Sequence, residues 1–144
     1  MLPAEVSVDF EQLRRFFERD IPFNDHLGIR VTHLERGHCV LEIPFAPHLV
    51  GDPNRPALHG GVFSTLTDAA GGLAVFSMLD QPKGLSTVDL RLDYLRPGRL
   101  TDVQCEATVV RAGNRVAVTT MIVRQGQDYI AAEGRGVYNL PLRD

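Results

Sequence analysis

The segment His59-Gly60-Gly61-Val62-Phe63-Ser64-Thr65-Leu66-Thr67-Asp68 gathers the chemically capable groups of this chain. Two glycines just before a helical stretch let another group approach the backbone, and the first-turn amides of a helix point outward without intrahelical acceptors. Such amides, reinforced by the helix dipole, stabilise negative charge developing on a carbonyl oxygen during acyl transfer. The Gly60–Gly61 region is therefore a candidate oxyanion hole, while the same pair also suits a plain loop-to-helix turn. Asp68 falls inside an otherwise apolar helix, where an ionisable side chain is costly without a partner or a purpose. A carboxylate there suits general-base activation of water or direct attack on a carbonyl. The alternative is a bond to neighbouring backbone or to His59 that only organises the core.

Spacing adds a constraint. Asp68 lies about seven residues into the helix, roughly 10 Å along its axis, beyond reach of that helix's own first amides. A two-fold pair of antiparallel helices instead sets Asp68 of one subunit near Gly60 of the other, and the small run Ala69-Ala70-Gly71-Gly72 permits a close approach. The expectation is an active site shared between subunits.

The elements that must hold these groups follow from pattern. Asp9 suits an N-cap for a short amphipathic helix with Phe10, Leu13, Phe16 and Phe17 on one side, and Pro22 ends that pattern. A polar interval with Asn24, Asp25 and His26 leads to a strand beginning near Ile29 and Val31, a turn at Gly37, and a second strand from Cys39 to Phe45. An irregular loop from Ala46 to Leu58 carries Pro47, Gly51, Pro53 and Pro56. From Val62 to about Leu79 small and apolar residues occur nearly all round, the mark of a helix buried on most faces. Four strands follow, Thr87–Leu95, Val103–Arg111, Val116–Arg124 and Tyr129–Tyr138, and the last three form an antiparallel meander. The economical arrangement is α+β: one curved antiparallel sheet wrapped around a central buried helix.

A chain of 144 residues, 44% hydrophobic, buries one core and reads as a single domain over 1–144. The opening segment lacks the pattern of a secretory leader, and the most apolar stretch, Gly60 to Leu79, is interrupted by Asp68. No membrane span is expected. Cys39 and Cys105 have no metal-type or disulfide-scaffold spacing, which fits the cytoplasm. The formal charge of −3 gives no global attraction to nucleic acid. His26, His33, His38, His48 and His59 are scattered without the i, i+4 or clustered spacing of a zinc site, so no metal and no cofactor are expected.

His59-Gly60-Gly61 with Asp68 after it, the buried helix it opens, and Thr87-Val-Asp-Leu-Arg-Leu-Asp-Tyr-Leu-Arg-Pro-Gly98 together resemble the hotdog-fold acyl-CoA thioesterases of the phenylacetate-degradation (PaaI-like) type, over about Phe23 to Leu140. The resemblance implies a hotdog fold and hydrolysis of an acyl-CoA by a homodimer or homotetramer. It makes Asp68 the catalytic acid, Gly60 the amide that polarises the thioester carbonyl, and His59 the residue that organises the loop, with Gly61 beside them. Thr87 matches a hydroxyl that positions the attacking water; Ser86 is its neighbour, and a solvent-facing strand threonine is the alternative. Arg96 and Arg99 match the region near the nucleotide of CoA. Where many relatives carry an amide side chain before the HGG motif, this chain reads Gly51-Asp52-Pro53, so Asp52 or Asn54 stands in for it. Gly72 stands where Glu-type members carry a hydroxyl, which favours an Asp-type mechanism.

An aromatic or medium-chain acyl group fits this reading, with Phe23, Leu27, Phe63, Leu66 and Met78 as pocket or core residues. A non-catalytic acyl-CoA-binding hotdog module is the alternative, supported by Asp52. A dehydratase or hydratase of the same fold requires a His beside the acid, and His59 sits on the loop instead.

Overall fold

The computed structural model describes residues 8–80 and 84–141; residues 1–7 of the opening segment lie outside them. Helix α1 (Phe10–Arg15) is capped by Asp9, whose carboxylate accepts the Gln12 N–H at 3.1 Å. It runs into a single π-turn, Phe16–Asp20, closed by an Ile21 N–H to Phe16 carbonyl bond of 3.1 Å. Pro22 does not end the helical region as its ring suggested. It occupies the first turn of a further helix, α2 (Pro22–Leu27), where its missing N–H costs nothing, and Gly28 ends that helix at φ 71°. The polar interval is thus helical.

Strands β1 (Arg30–Glu35), β2 (His38–Ile43), β5 (Ser86–Tyr94), β6 (Val103–Ala112), β7 (Val116–Arg124) and β8 (Ile130–Asn139) form a six-stranded sheet in the order β1-β2-β6-β7-β8-β5. All of its pairings are antiparallel. The long helix α3 (Gly60–Phe76) packs against β2, β5, β6, β7 and β8, so the sheet wraps one helix, which is the hotdog fold. Leu66, Ala70, Leu73 and Ala74 of α3 are fully buried against Cys39, Leu41, Ala107 and Val123 of the sheet. Each buried leucine contributes about 1.5–3 kcal/mol relative to exposure.

The loop expected between Ala46 and Leu58 is more ordered than its prolines implied. It holds a 3₁₀ turn (Pro47–Leu49) and a two-stranded ribbon of β3 (Val50–Asp52) with β4 (Ala57–Leu58). Gly51 passes so near His59 that a Cβ on it would lie 2.7 Å from the His59 Cα. The Leu58 N–H donates to the Gly98 carbonyl at 3.0 Å, tying the loop to the turn after β5.

Two bulges change which side chains face the helix. In β5 the register with β8 shifts between Thr87 and Asp89, and in β1 the register with β2 shifts between Val31 and His33. A bulge reverses which face the residues before it present, because side chains alternate along a strand. Thr87 thereby joins Leu90 and Leu92 on the helix-facing side although its parity is opposite, and Val88 is left 61% exposed.

Candidate active site

Helix α3 opens on His59, which occupies the N-cap position. Its imidazole Nδ1 accepts the Gly61 N–H at 2.8 Å, doing with nitrogen what Ser or Asp usually does with oxygen. Nδ1 therefore offers a lone pair and the neutral ring carries its proton on Nε2. The His59 N–H in turn donates to the Leu49 carbonyl at 2.8 Å. His59 is thus a loop organiser in structural terms, and the Gly61 amide is already committed to it. The Gly60 N–H has no acceptor among the described residues and lies on the surface. From the other side the Tyr94 hydroxyl donates to the Gly60 carbonyl at 3.1 Å, and the Tyr94 ring stacks on Phe63.

Asp68 is half-buried rather than enclosed. The Thr87 hydroxyl donates to its Oδ1 at 2.7 Å. Thr87 therefore meets the carboxylate itself, although its side chain stays exposed in the single chain. The Tyr138 hydroxyl donates to the Asp68 backbone carbonyl at 3.0 Å and stands 3.5 Å from Oδ1. Burial, and then the nearby Asp68 charge, push the Tyr138 phenol far up, so it remains a donor at any ordinary pH. Oδ2 of Asp68 has no protein donor among the described residues and is available to water or substrate.

The uncovered side of α3 is a stripe of short side chains: Gly61, Ser64, Thr65, Asp68 and Ala69 recur at helical spacing and are only half-buried. The small run expected to admit a second helix has a different role. Ala70, Gly71 and Gly72 are buried against the chain's own sheet, and a Cβ on Gly71 would lie 2.2 Å from the Tyr138 hydroxyl and 2.9 Å from Thr119 Oγ1. Gly71 is small to admit Tyr138 beneath the helix.

A cavity of about 400 Å³ adjoins Asp68, walled by Phe17, Ile21, Phe23 and Asn24 on one side and by Ser64, Thr65, Ala69 and Leu90 on the other. Of the residues expected to line a pocket, Phe23 does so. Phe63 and Leu66 belong to the core, Leu27 packs against that core, and Met78 packs near Gly37. Asn24 is buried and donates to the Phe17 carbonyl at 3.0 Å, which fixes the π-turn against α2.

The remaining candidates lie elsewhere. Asp52 accepts the Asn54 N–H at 2.9 Å in an exposed turn, and neither residue lines the cavity beside Asp68. Arg96 donates to the Ile130 carbonyl at 2.7 Å, and the Arg99 guanidinium stacks 3.8 Å above the Tyr129 ring. Arg99 also edges a wider, mixed-polarity depression of about 980 Å³ that includes Thr101, Arg124 and Gln127 and does not touch Asp68. Among the described residues one group of potential metal ligands comes together, His33, Glu35 and His38, and it too lies away from Asp68. No helix of the described chain is long and apolar enough to cross a membrane.

Sequence reasoning does not single out Tyr138 or Asn24, and it uses Tyr94 only as part of a motif. Tyr94 is within its reach, since it stands in the Leu92-Asp-Tyr94-Leu-Arg-Pro-Gly98 stretch that packs over the HGG turn. For Tyr138 no local signal exists, because its contact with Asp68 depends on strand register.

Residues 56–132 match the thioesterase superfamily. The chain is 35% identical over 146 residues to a medium/long-chain acyl-CoA thioesterase, YigI, of Salmonella typhimurium, covering 92% of this chain and 93% of that one. It is 33% identical to the Escherichia coli protein of the same name, over 96% of each. Among solved structures, a Shewanella oneidensis protein related to the thioesterase superfamily superposes with a TM-score of 0.83 at 32% identity, covering 91% of this chain and 94% of that one. A thioesterase family protein from Silicibacter pomeroyi does so with a TM-score of 0.80 at 26% identity, covering 90% and 96%. With the helix-wrapping sheet, the HGG turn and these relatives in agreement, the chain belongs to the thioesterase superfamily and is a thioester hydrolase.

Proposed function

We propose that this protein hydrolyses acyl-CoA thioesters carrying a medium-length acyl chain, with Asp68 as the catalytic carboxylate and the Gly60 amide as the oxyanion donor. The observation that carries this reading is the setting of Asp68: one oxygen is fixed by Thr87 at 2.7 Å, the other has no protein donor among the described residues, and a cavity with Phe17, Ile21, Phe23 and Leu90 in its wall adjoins it. The names of the Salmonella and Escherichia relatives support the acyl-CoA class and the chain length. An aromatic acyl group is the competing substrate.

In the general-base route Asp68 takes a proton from water as its oxygen attacks the thioester carbon, and the carbonyl oxygen gains charge against the Gly60 N–H. The C–S bond then breaks and the CoA thiolate recovers the proton from Asp68. In the nucleophilic route Asp68 attacks the thioester carbon, the C–S bond breaks and CoA thiolate leaves; water then cleaves the resulting anhydride to the free acid and the Asp68 carboxylate, and its proton goes to the thiolate. Arg96 and Arg99 are the candidates for the CoA phosphates, and Asp52 and Asn54 for contact with the thioester end.

Gly60 and Asp68 are eight residues apart on one helix, about 12 Å along the axis, so one carbonyl cannot touch both in a single chain. The proposal is a homodimer that joins along β5. That strand is nine residues long, stands at the sheet edge and leaves Val88 exposed, the kind of edge that pairs with another chain. The two buried free cysteines fit a reducing cytoplasmic setting.

The test is free-thiol release from straight-chain and aryl acyl-CoA substrates by wild type and Asp68→Asn. Turnover should fall by about 10²–10⁴ in a folded variant. Wild-type rates in Asp68→Asn would remove the assigned role. Acyl-CoA binding without thiol release from any substrate would leave a non-catalytic binding module instead.

A further inference from the structure

The outer face of the β1–β2 hairpin carries a cluster that the hydrolytic site does not use. Glu35 and His38 face each other directly across the hairpin, and the bulge at Thr32 turns His33 onto the same outer face. Without that bulge His33 would share the inward side of Val31, which is 3% exposed. The Glu35 Oε1 stands 3.2 Å from His33 Nε2 and 2.9 Å from His38 Nδ1. The opposite nitrogen of the same His38 ring, Nε2, lies 3.2 Å from the Glu106 Oε2 on the neighbouring strand β6.

We propose that His33, Glu35 and His38 form a binding site for one divalent transition-metal ion of the zinc class, with Glu106 positioning the His38 ring. Two imidazoles and one carboxylate are a ligand set suited to zinc, nickel or copper rather than to magnesium or calcium. With metal–nitrogen and metal–oxygen bonds of about 2.0–2.2 Å, ligand atoms in a tetrahedral site stand roughly 3.3 Å apart. The three ligand atoms already lie within 4.8 Å of one another, not far from that spacing. A carboxylate on the far nitrogen of a ligating histidine fixes the tautomer and ring orientation that binding requires, and Glu106 occupies that place. The fourth position opens to solvent, since the His33 side chain is 48% exposed.

The site lies near the sheet edge opposite β5, so its occupancy is separable from the hydrolytic reaction. An ion there ties the edge strand β1 to β2 and stabilises the fold in proportion to its binding.

The test uses the untagged full chain, titrated with ZnCl₂ by calorimetry and followed by thermal unfolding with and without the metal. One zinc ion per chain, a zinc-dependent rise in Tm and no response to MgCl₂ are expected. His33→Ala and His38→Ala should abolish binding, and Glu106→Gln should weaken it by about 10-fold. The exposed His26–His48 pair, with ring centroids 6.1 Å apart, is the rival location. Absence of zinc binding, or binding that survives His33→Ala and His38→Ala, or binding that His48→Ala alone removes, would overturn the proposal.

Discussion

Replacing Gly60 by proline isolates the proposed oxyanion donor with little other change. Gly60 is the first residue of α3, the position where a helix tolerates proline because its N–H has no intrahelical partner. The preceding residue, His59, has φ −59° and ψ 132°, a conformation compatible with a following proline. A Cβ at Gly60 meets only the Tyr94 ring, at 3.3 Å from Cε1, and that ring can give by the small amount required. The substitution deletes one N–H from the site and should leave Tm nearly unchanged. Loss of one oxyanion donor costs about 2.7–4 kcal/mol of transition-state stabilisation, a fall of about 10²–10³ in kcat. The assay is thiol release at saturating acyl-CoA by Gly60→Pro, by Asp68→Asn, and by an equimolar mixture reassembled after mild dissociation. If the site is shared, each mixed dimer carries one site with both defects and one with neither, so the mixture should recover about one quarter of wild-type activity at random assortment. Near-normal kcat in Gly60→Pro refutes the donor assignment. A mixture that contains demonstrable mixed dimers but stays inactive refutes the shared site.

Thr87→Val keeps the shape of the strand residue and removes the hydrogen bond to Asp68 Oδ1. A bond to a charged group at such a semi-exposed site contributes about 1.5 kcal/mol, so kcat should fall roughly tenfold with KM little changed, and Thr87→Ser should restore it; equal kcat in all three proteins would show that the bond does not orient Asp68. Gly71→Ala should lower stability by about 1–3 kcal/mol in chemical unfolding, because its methyl displaces the Tyr138 hydroxyl from beneath Asp68. A change below about 0.5 kcal/mol would mean that the helix shifts to admit the methyl at no cost.

Element order and the helix-wrapping sheet are legible in the sequence because the signals are local: alternation in the late strands, all-round apolarity in α3, and glycines at the hairpins. The HGG turn and Asp68 are legible as a motif. Features that depend on register stay hidden. Alternation alone assigns Thr87 to the solvent face, and only the bulge at Val88 delivers it to Asp68. The same holds for His33, Glu35 and His38, which show no metal-type spacing along the chain and meet through a bulge and a hairpin pairing. Ala69–Gly72 suggests a helix–helix contact because small residues do not declare what covers them; Tyr138 of the last strand lies against Gly71 and Gly72, while Ala69 stays on the uncovered stripe. Pro22 suggests a stop because proline excludes a continuing helix, yet it equally favours a new start.

The cavity beside Asp68 has two walls of different origin. One is the stripe of short side chains on α3, within the residues 56–132 that match the superfamily. The other, Phe17 to Asn24, comes from the π-turn and α2, upstream of that matched stretch and outside the sheet. On the proposed reading, the reacting groups and the wall that would meet the acyl chain therefore lie on separate stretches of chain. On that reading, substitutions at Phe17, Ile21 or Phe23 reshape the space offered to the acyl chain while leaving Asp68, Thr87 and the HGG turn in place, so substrate preference can change without the reaction being rebuilt.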